Sequence, residues 1–178
     1  DCRDPNGNDH PSAPTDEQRN SGGRRTMTWA TLFSLTNAVA MLGWLALAIL
    51  PRKPLSLSAV LYLGVGLLCL TYASLFVLSI GNFIDPGRVA GAAKPDLMDY
   101  SIAGLRPLFM SDGGIVIGWT HYLAFDLFVG MWIARDADAK RVGRLAQLPF
   151  LFVTLMAGPI GLLSWLLFRE VRSRRADG

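Results

Sequence analysis

His121, Tyr122 and Asp126 lie within one short stretch of an otherwise apolar run, from Gly114 to Ala134. An ionised aspartate in the middle of a bilayer costs about 2.5 to 3.5 kcal/mol on insertion scales, so Asp126 is expected to face a helix-bundle interior with a partner, or to be protonated. Tyr122 stands one helical turn earlier on the same face, and Trp119 and Gly130 extend that face. His121 is about 140° round the helix from Asp126 at 3.6 residues per turn, so the two can flank a pocket only from different edges. An ionisable residue inside a membrane span is by default a functional candidate, which applies first to Asp126. The structural alternative is a hydrogen-bonded packing histidine and an aspartate that bonds a serine or tyrosine of a neighbouring helix.

The elements that must position these groups follow from hydropathy. Half of the 178 residues are hydrophobic and only 17% are charged, below the roughly 25% usual for soluble domains. Four apolar stretches, at about 29–50, 57–80, 114–134 and 148–168, approach the ~20 residues needed to cross a bilayer as a helix. Alternating strands of barrel type are absent. The expected fold is therefore an all-α integral membrane protein with four transmembrane helices, forming one domain over residues 27–178. The short connection from Pro51 to Ser56 makes the first two helices an antiparallel hairpin. The second connection is long, and Met98, Ile102, Leu105 and Phe109 recur in it at helical spacing, which predicts an interfacial helix limited by Pro107. Ala157-Gly158-Pro159-Ile160-Gly161 predicts a kink in the fourth helix. Residues 1–26 are polar and lack apolar periodicity, so they read as a disordered tail, with Met27 as the expected natural start.

Other chemistries are disfavoured by counting. Only two histidines occur, one of them in the tail, which leaves neither bis-histidine haem nor a three-histidine metal site. No cofactor is predicted; the one metal reading left is a sparse iron site on His121 with aspartate or water ligands. Cys2 and Cys69 are far apart and unlike in setting, and no phosphate-binding loop or nucleophile elbow appears. The net charge of +3 sits in short loops and ends, so it is read as membrane topology and not as nucleic-acid affinity. With four spans, eleven Lys and Arg fall on the side of the termini and six on the other, or seven against six if the chain starts at Met27. The cluster from Arg169 to Arg175 tips both termini toward the cytoplasm.

Gly118-Trp119-Thr120-His121-Tyr122-Leu123-Ala124-Phe125-Asp126-Leu127-Phe128-Val129-Gly130, followed by Trp132, Arg135-Asp136-Ala137 and Thr154-Leu155-Met156-Ala157-Gly158-Pro159-Ile160-Gly161-Leu162, closely resembles the abscisic-acid-deficient-four-like family. Thr28-Trp29, Leu32-Phe33-Ser34-Leu35, Asn37 and Gly43-Trp44 are similar to the first helix of bacterial members, which points to a bacterial inner membrane. Plant members are plastid membrane proteins needed to form neoxanthin, an allenic xanthophyll, from violaxanthin. The resemblance implies a C40 carotenoid as ligand and a carotenoid-modifying activity, with His121, Asp126 and Tyr122 as catalytic candidates. Asn37, Trp44, Trp119, Phe125 and Thr154 are the candidates for contact with the polyene. Proton-transfer isomerisation is the leading reaction; a non-catalytic carotenoid-binding or assembly subunit and metal-dependent oxidative cleavage are the alternatives. The partners so implied are carotenoid, membrane lipid, and other carotenoid-pathway proteins or a second copy of the chain.

Overall fold

The computed structural model describes residues 27–51, 53–91, 95, 96, 98, 99 and 101–177, with side chains up to 174; the expected tail and the choice of Met27 as start concern residues outside this set. Helix α1 runs over Trp29–Ile49 and is capped by Thr28, whose hydroxyl accepts from Thr31 N at 3.2 Å. Helix α2, Pro54–Ile80, opens on a proline, which suits a first turn whose N–H would be unpaired anyway. Its middle, Val60–Gly66, is wound more widely as a π-helical stretch. A short helix α3, Ile102–Leu105, passes into a 3-10 turn, Arg106–Phe109. Helix α4 covers Asp112–Ala139, α5 Arg144–Met156 and α6 Gly158–Asp177. The described residues are all-helical, with one isolated bridge between Arg88 and Ser111. The expected interfacial helix is present only in part: Ile102, Leu105 and Phe109 are in it, Met98 precedes it, and Pro107 falls where the coil tightens.

Helices α1, α2 and α4 are each long and apolar enough to cross a membrane. Lipid supplies no hydrophobic force between helices, so close packing must hold them, and small residues allow it. Leu127 of α4 is fully buried because it seats against Gly43 of α1 and Gly64 in the π-helical stretch of α2. In return, Trp44 of α1 lies over Gly130 of α4. The knobs of each helix fill hollows that a β-carbon would close.

The fourth apolar stretch does not form one span. Thr154 and Gly161, seven residues apart, touch so closely that a β-carbon at 161 would meet the backbone of Thr154, and Phe150 packs against Trp165 and Phe168 with ring centroids 5.3 and 5.0 Å apart. In a continuous helix, residues 150 and 165 would be about 22 Å apart. Helices α5 and α6 are therefore the two arms of an antiparallel hairpin folded at Ala157, where the backbone leaves helical conformation at φ −156°, ψ 76°. A 13-residue α5 covers only about 20 Å, short of a bilayer core. The expected kink is a full reversal.

This corrects the placement of the chain ends. The far end of α6 returns to the end of α4 at which α5 began: Arg169 pairs with Asp136 at 3.4 Å, and Trp165 Nε1 donates to Asp136 Oδ2 at 2.9 Å. Arg144, at the start of α5, donates to the Leu50 carbonyl at the end of α1. At the opposite end of the bundle, Trp29 Nε1 donates to the Asp85 carbonyl in the long connection. Residues 29 and 169 thus lie at opposite ends of the bundle, whereas a fourth span would have put them at the same end. The reason is small-residue chemistry: Gly158, Pro159 and Gly161 start a new helix and let its first turn cross the last turn of α5. Replacing Gly161 by leucine should force the arms apart, at a cost of about 1 to 3 kcal/mol typical of overpacking; a lowered thermal midpoint in detergent checks this.

Candidate functional site

The principal cavity, of about 570 Å³, lies between the second half of α2, the long connection and the first half of α4. The connection is strapped over it by backbone hydrogen bonds: Val89 N to Met110 O, Asp112 N to Gly87 O and Gly113 N to Pro86 O, at 3.2, 3.3 and 2.9 Å. Asp85 shapes the turn, its carboxylate accepting from Gly87 N at 2.9 Å, and Gly87 takes a left-handed φ of 64°. A β-carbon on Gly113 would be tight between Trp29 and Pro86, at 3.0 to 3.1 Å. Ser111 then starts α4 by accepting from Gly114 N at 3.1 Å. Each of these features sets the roof of the cavity.

His121 lines this cavity on the α4 side, together with Gly114, Ile117 and Gly118. Its ring is held between Tyr72 of α2 and Phe125, at centroid distances of 5.4 and 4.6 Å, and it has no hydrogen-bond partner among the described residues. Tyr72 in turn stacks on Phe76 at 5.7 Å. The result is an aromatic row, Phe76, Tyr72, His121 and Phe125, leading from the cavity out to a Phe125 that is 55% exposed on the lipid-facing side. Polar groups gather nearer the connection: Asn82, Arg88 and Ser79, whose Oγ is buried without a partner among the described residues. An apolar hollow with a few convergent polar groups is the usual form of a small-molecule site, and this one falls within the roughly 300 to 1,000 Å³ such sites occupy.

Asp126 does not line that cavity. It points to the other side of α4, toward the tip of the α5–α6 hairpin, where its carboxylate is in direct contact with the position a β-carbon would take on Gly158. The residue is only 7% exposed, and Oδ2 has no hydrogen-bond partner among the described residues. Tyr122 lies beside it and donates its hydroxyl to the Met156 carbonyl at 3.3 Å, at the end of α5. The N-terminus of α6 is thereby brought to a carboxyl group, an arrangement that the helix dipole favours. Trp119 stacks on Tyr122 at 5.4 Å and donates through Nε1 to Asn37 Oδ1 of α1 at 3.1 Å. Asn37, Trp119, Tyr122 and Asp126 are thus one connected polar face, joining α1, α4 and the hairpin tip.

The remaining candidates have different settings. Trp44 is buried over Gly130, with its Nε1 unpartnered among the described residues. Thr154 is fully buried, donates to the Phe150 carbonyl at 2.7 Å and abuts Gly161, so it holds the hairpin together. His121 and Asp126 stand on different edges of α4; the fold gives each edge its own surroundings, and one pocket does not join them. Ser79 and Arg88 escaped the sequence reading. Neither carries a motif, and only the folding of the connection over α2 and α4 brings them to His121.

No group of three or more His, Cys, Asp or Glu side chains is gathered among the described residues. The neighbours of His121 are aromatic rings, not carboxylates, so a resident iron held by histidine and aspartate does not fit these residues.

Three membrane-length helices, a folded-back hairpin and an apolar cavity roofed by a long connection define a small helical membrane protein. Residues 31–165 match the family described as ABA DEFICIENT 4-like, and the chain belongs to that family, whose association with neoxanthin synthesis gives it a carotenoid-related role. Neither the curated proteins nor the solved structures contain a match.

The contact between Gly158 and Asp126 is open to a direct check. Gly158→Ala sets a methyl against the carboxylate and should lower stability by about 1 to 3 kcal/mol. Adding Asp126→Ser should return part of that loss, since residues in contact are coupled. Thermal unfolding of the two single variants and the double variant measures it.

Proposed function

We propose that the protein binds a C40 carotenoid with one end ring in the cavity beside His121, and converts it by a proton-transfer isomerisation. The observation that carries this reading is the imidazole of His121: it stands free of hydrogen bonds among the described residues, in the wall of an apolar cavity that continues into an aromatic row facing lipid. A carotenoid is about as long as the ~30 Å hydrocarbon core, so the cavity takes an end ring while the polyene runs along Tyr72, His121 and Phe125. For an epoxidised ring, the base removes a proton from the adjoining polyene carbon and the carbon–oxygen bond opens. The electron pair forms the allene, and the oxygen takes up a proton to become a hydroxyl. A single imidazole can accept the first proton and deliver one to the oxygen, leaving product and substrate equal in mass.

Asp126 and Tyr122 act in this reading from the opposite side of α4, by fixing the hairpin tip and with it the rotation of α4 that aims His121. Asn37 and Trp119 extend the same support, while Trp44 and Thr154 hold helix spacing. A second reading, a pigment-binding subunit without chemistry, is supported by the aromatic row itself, because rings held in series suit a polyene whether or not it reacts.

Expression in hosts that make β-carotene, zeaxanthin or violaxanthin, with pigments resolved by chromatography and mass, separates the readings. A new pigment of unchanged mass is the expected result. Shorter products would instead indicate cleavage, and unaltered pigment that co-purifies would indicate a binder. His121→Ala should lower conversion by about 10²- to 10⁴-fold, the range for loss of a general base, while pigment still co-purifies.

A further inference from the structure

We infer that the chain lies in its membrane with the joined ends of α4, α5 and α6 in the cytoplasm, so that the cavity beside His121 lies at the level of the opposite leaflet. The hairpin is what makes the orientation legible. Because α6 returns to the level at which α5 began, the residues 51 and 53–56 that join α1 to α2, the segment 135–144 and the segment 169–177 all belong to one end of the bundle. The Arg144–Leu50 and Arg169–Asp136 contacts tie them together there. The long connection, held to Trp29 and to the start of α4, forms the other end.

Sorted in this way, the first end carries ten Lys and Arg and the long connection three. Counting the four in residues 1–26 as well leaves ten against seven. Cationic residues in short connections and near helix ends stay on the cytoplasmic side, while Asp and Glu weigh little, so both counts select the same orientation. The same residues sorted for four spans divide seven to six from Met27 on and eleven to six with residues 1–26, toward the opposite orientation, but the hairpin excludes that sorting. Exposed Arg172 and Arg174 then face the leaflet whose anionic headgroups attract them.

The functional consequence concerns access. The cavity lies at the end of the bundle formed by the long connection, lined there by Asn82, Arg88 and Ser111, and in this orientation that end is on the non-cytoplasmic side. A hydrophobic ligand reaches His121 from that side and not from the cytoplasm. The orientation stands on the hairpin and the charges alone; only the identity of the ligand rests on the function proposed above.

Single cysteines in a full-length chain carrying Cys2→Ser and Cys69→Ser test it in a bacterial inner membrane. Met98→Cys lies in the long connection at a site 84% exposed, Gly143→Cys at a site where an added β-carbon meets nothing within 4 Å, and Ser173→Cys on exposed α6. With a membrane-impermeant maleimide, Met98→Cys should react in intact cells, and the other two only after the membrane is opened. Reaction of Ser173→Cys together with Met98→Cys, with Gly143→Cys protected, would restore a fourth span and overturn the inference. Reaction of Gly143→Cys and Ser173→Cys with Met98→Cys protected would invert the orientation and overturn it too. A fluorescent protein fused after Gly178, of a kind that matures only in the cytoplasm, should be bright, and a dark fusion at normal protein level would count against the inference. None of these readouts depends on pigment, so their failure is distinct from failure of the proposed reaction.

Discussion

The spacing between α4 and its neighbours is set where glycine meets a large or polar side chain, and the rest of the molecule depends on that spacing. Leu127 can be fully buried only because Gly43 and Gly64 leave a hollow for it, and the Trp44 ring comes up against α4 only because residue 130 has no side chain. Gly158 completes the set by letting the hairpin tip touch Asp126. Between helices already surrounded by hydrocarbon there is little gain from burying apolar area, so contact distance decides how much packing energy is available. Any of these contacts opened by a β-carbon would also rotate or displace α4, the helix that carries both polar edges.

Those two edges divide the work of the molecule. One meets aromatic rings from α2 and the roof of the long connection, and presents an imidazole to an apolar hollow. The other meets α1 and the hairpin tip: Trp119 donates to Asn37, Tyr122 donates to the Met156 carbonyl, and Asp126 abuts Gly158 at the start of α6. A buried carboxyl is costly in a bilayer, and one enclosed by a helix N-terminus and a tyrosine is tolerable where one facing lipid is not. The edge with the fewest internal partners is the edge left available to a ligand.

Much of the fold was legible in the residue pattern. Hydropathy located α1, α2 and α4 to within a few residues, since the length of an apolar run is itself the physical requirement for crossing a bilayer. The interior setting of Asp126 followed from the cost of its charge, and the placement of Tyr122 on the same face from helix geometry alone. The reversal at Ala157 could not be read from hydropathy, because the tip is as apolar as the arms and a running average passes smoothly over it. Its marks were local: a Gly-Pro pair at the start of a helix, and a glycine seven residues after Thr154 that gains meaning only once two backbones are seen to cross.

His121, Tyr122 and Asp126 were determined as candidates by the sequence itself, because ionisable and aromatic polar groups inside an apolar helix are too costly to be incidental, and the family motif around them is carried by consecutive residues. What surrounds each of them was decided by tertiary structure. Tyr72, Ser79 and Arg88 reach His121 from other segments of the chain, and the tip of the hairpin reaches Asp126 from about 30 residues away in sequence. Residue type and helical spacing depend on neighbours along the chain, whereas a cavity and the side of a membrane it lies on depend on which segments the chain folds together.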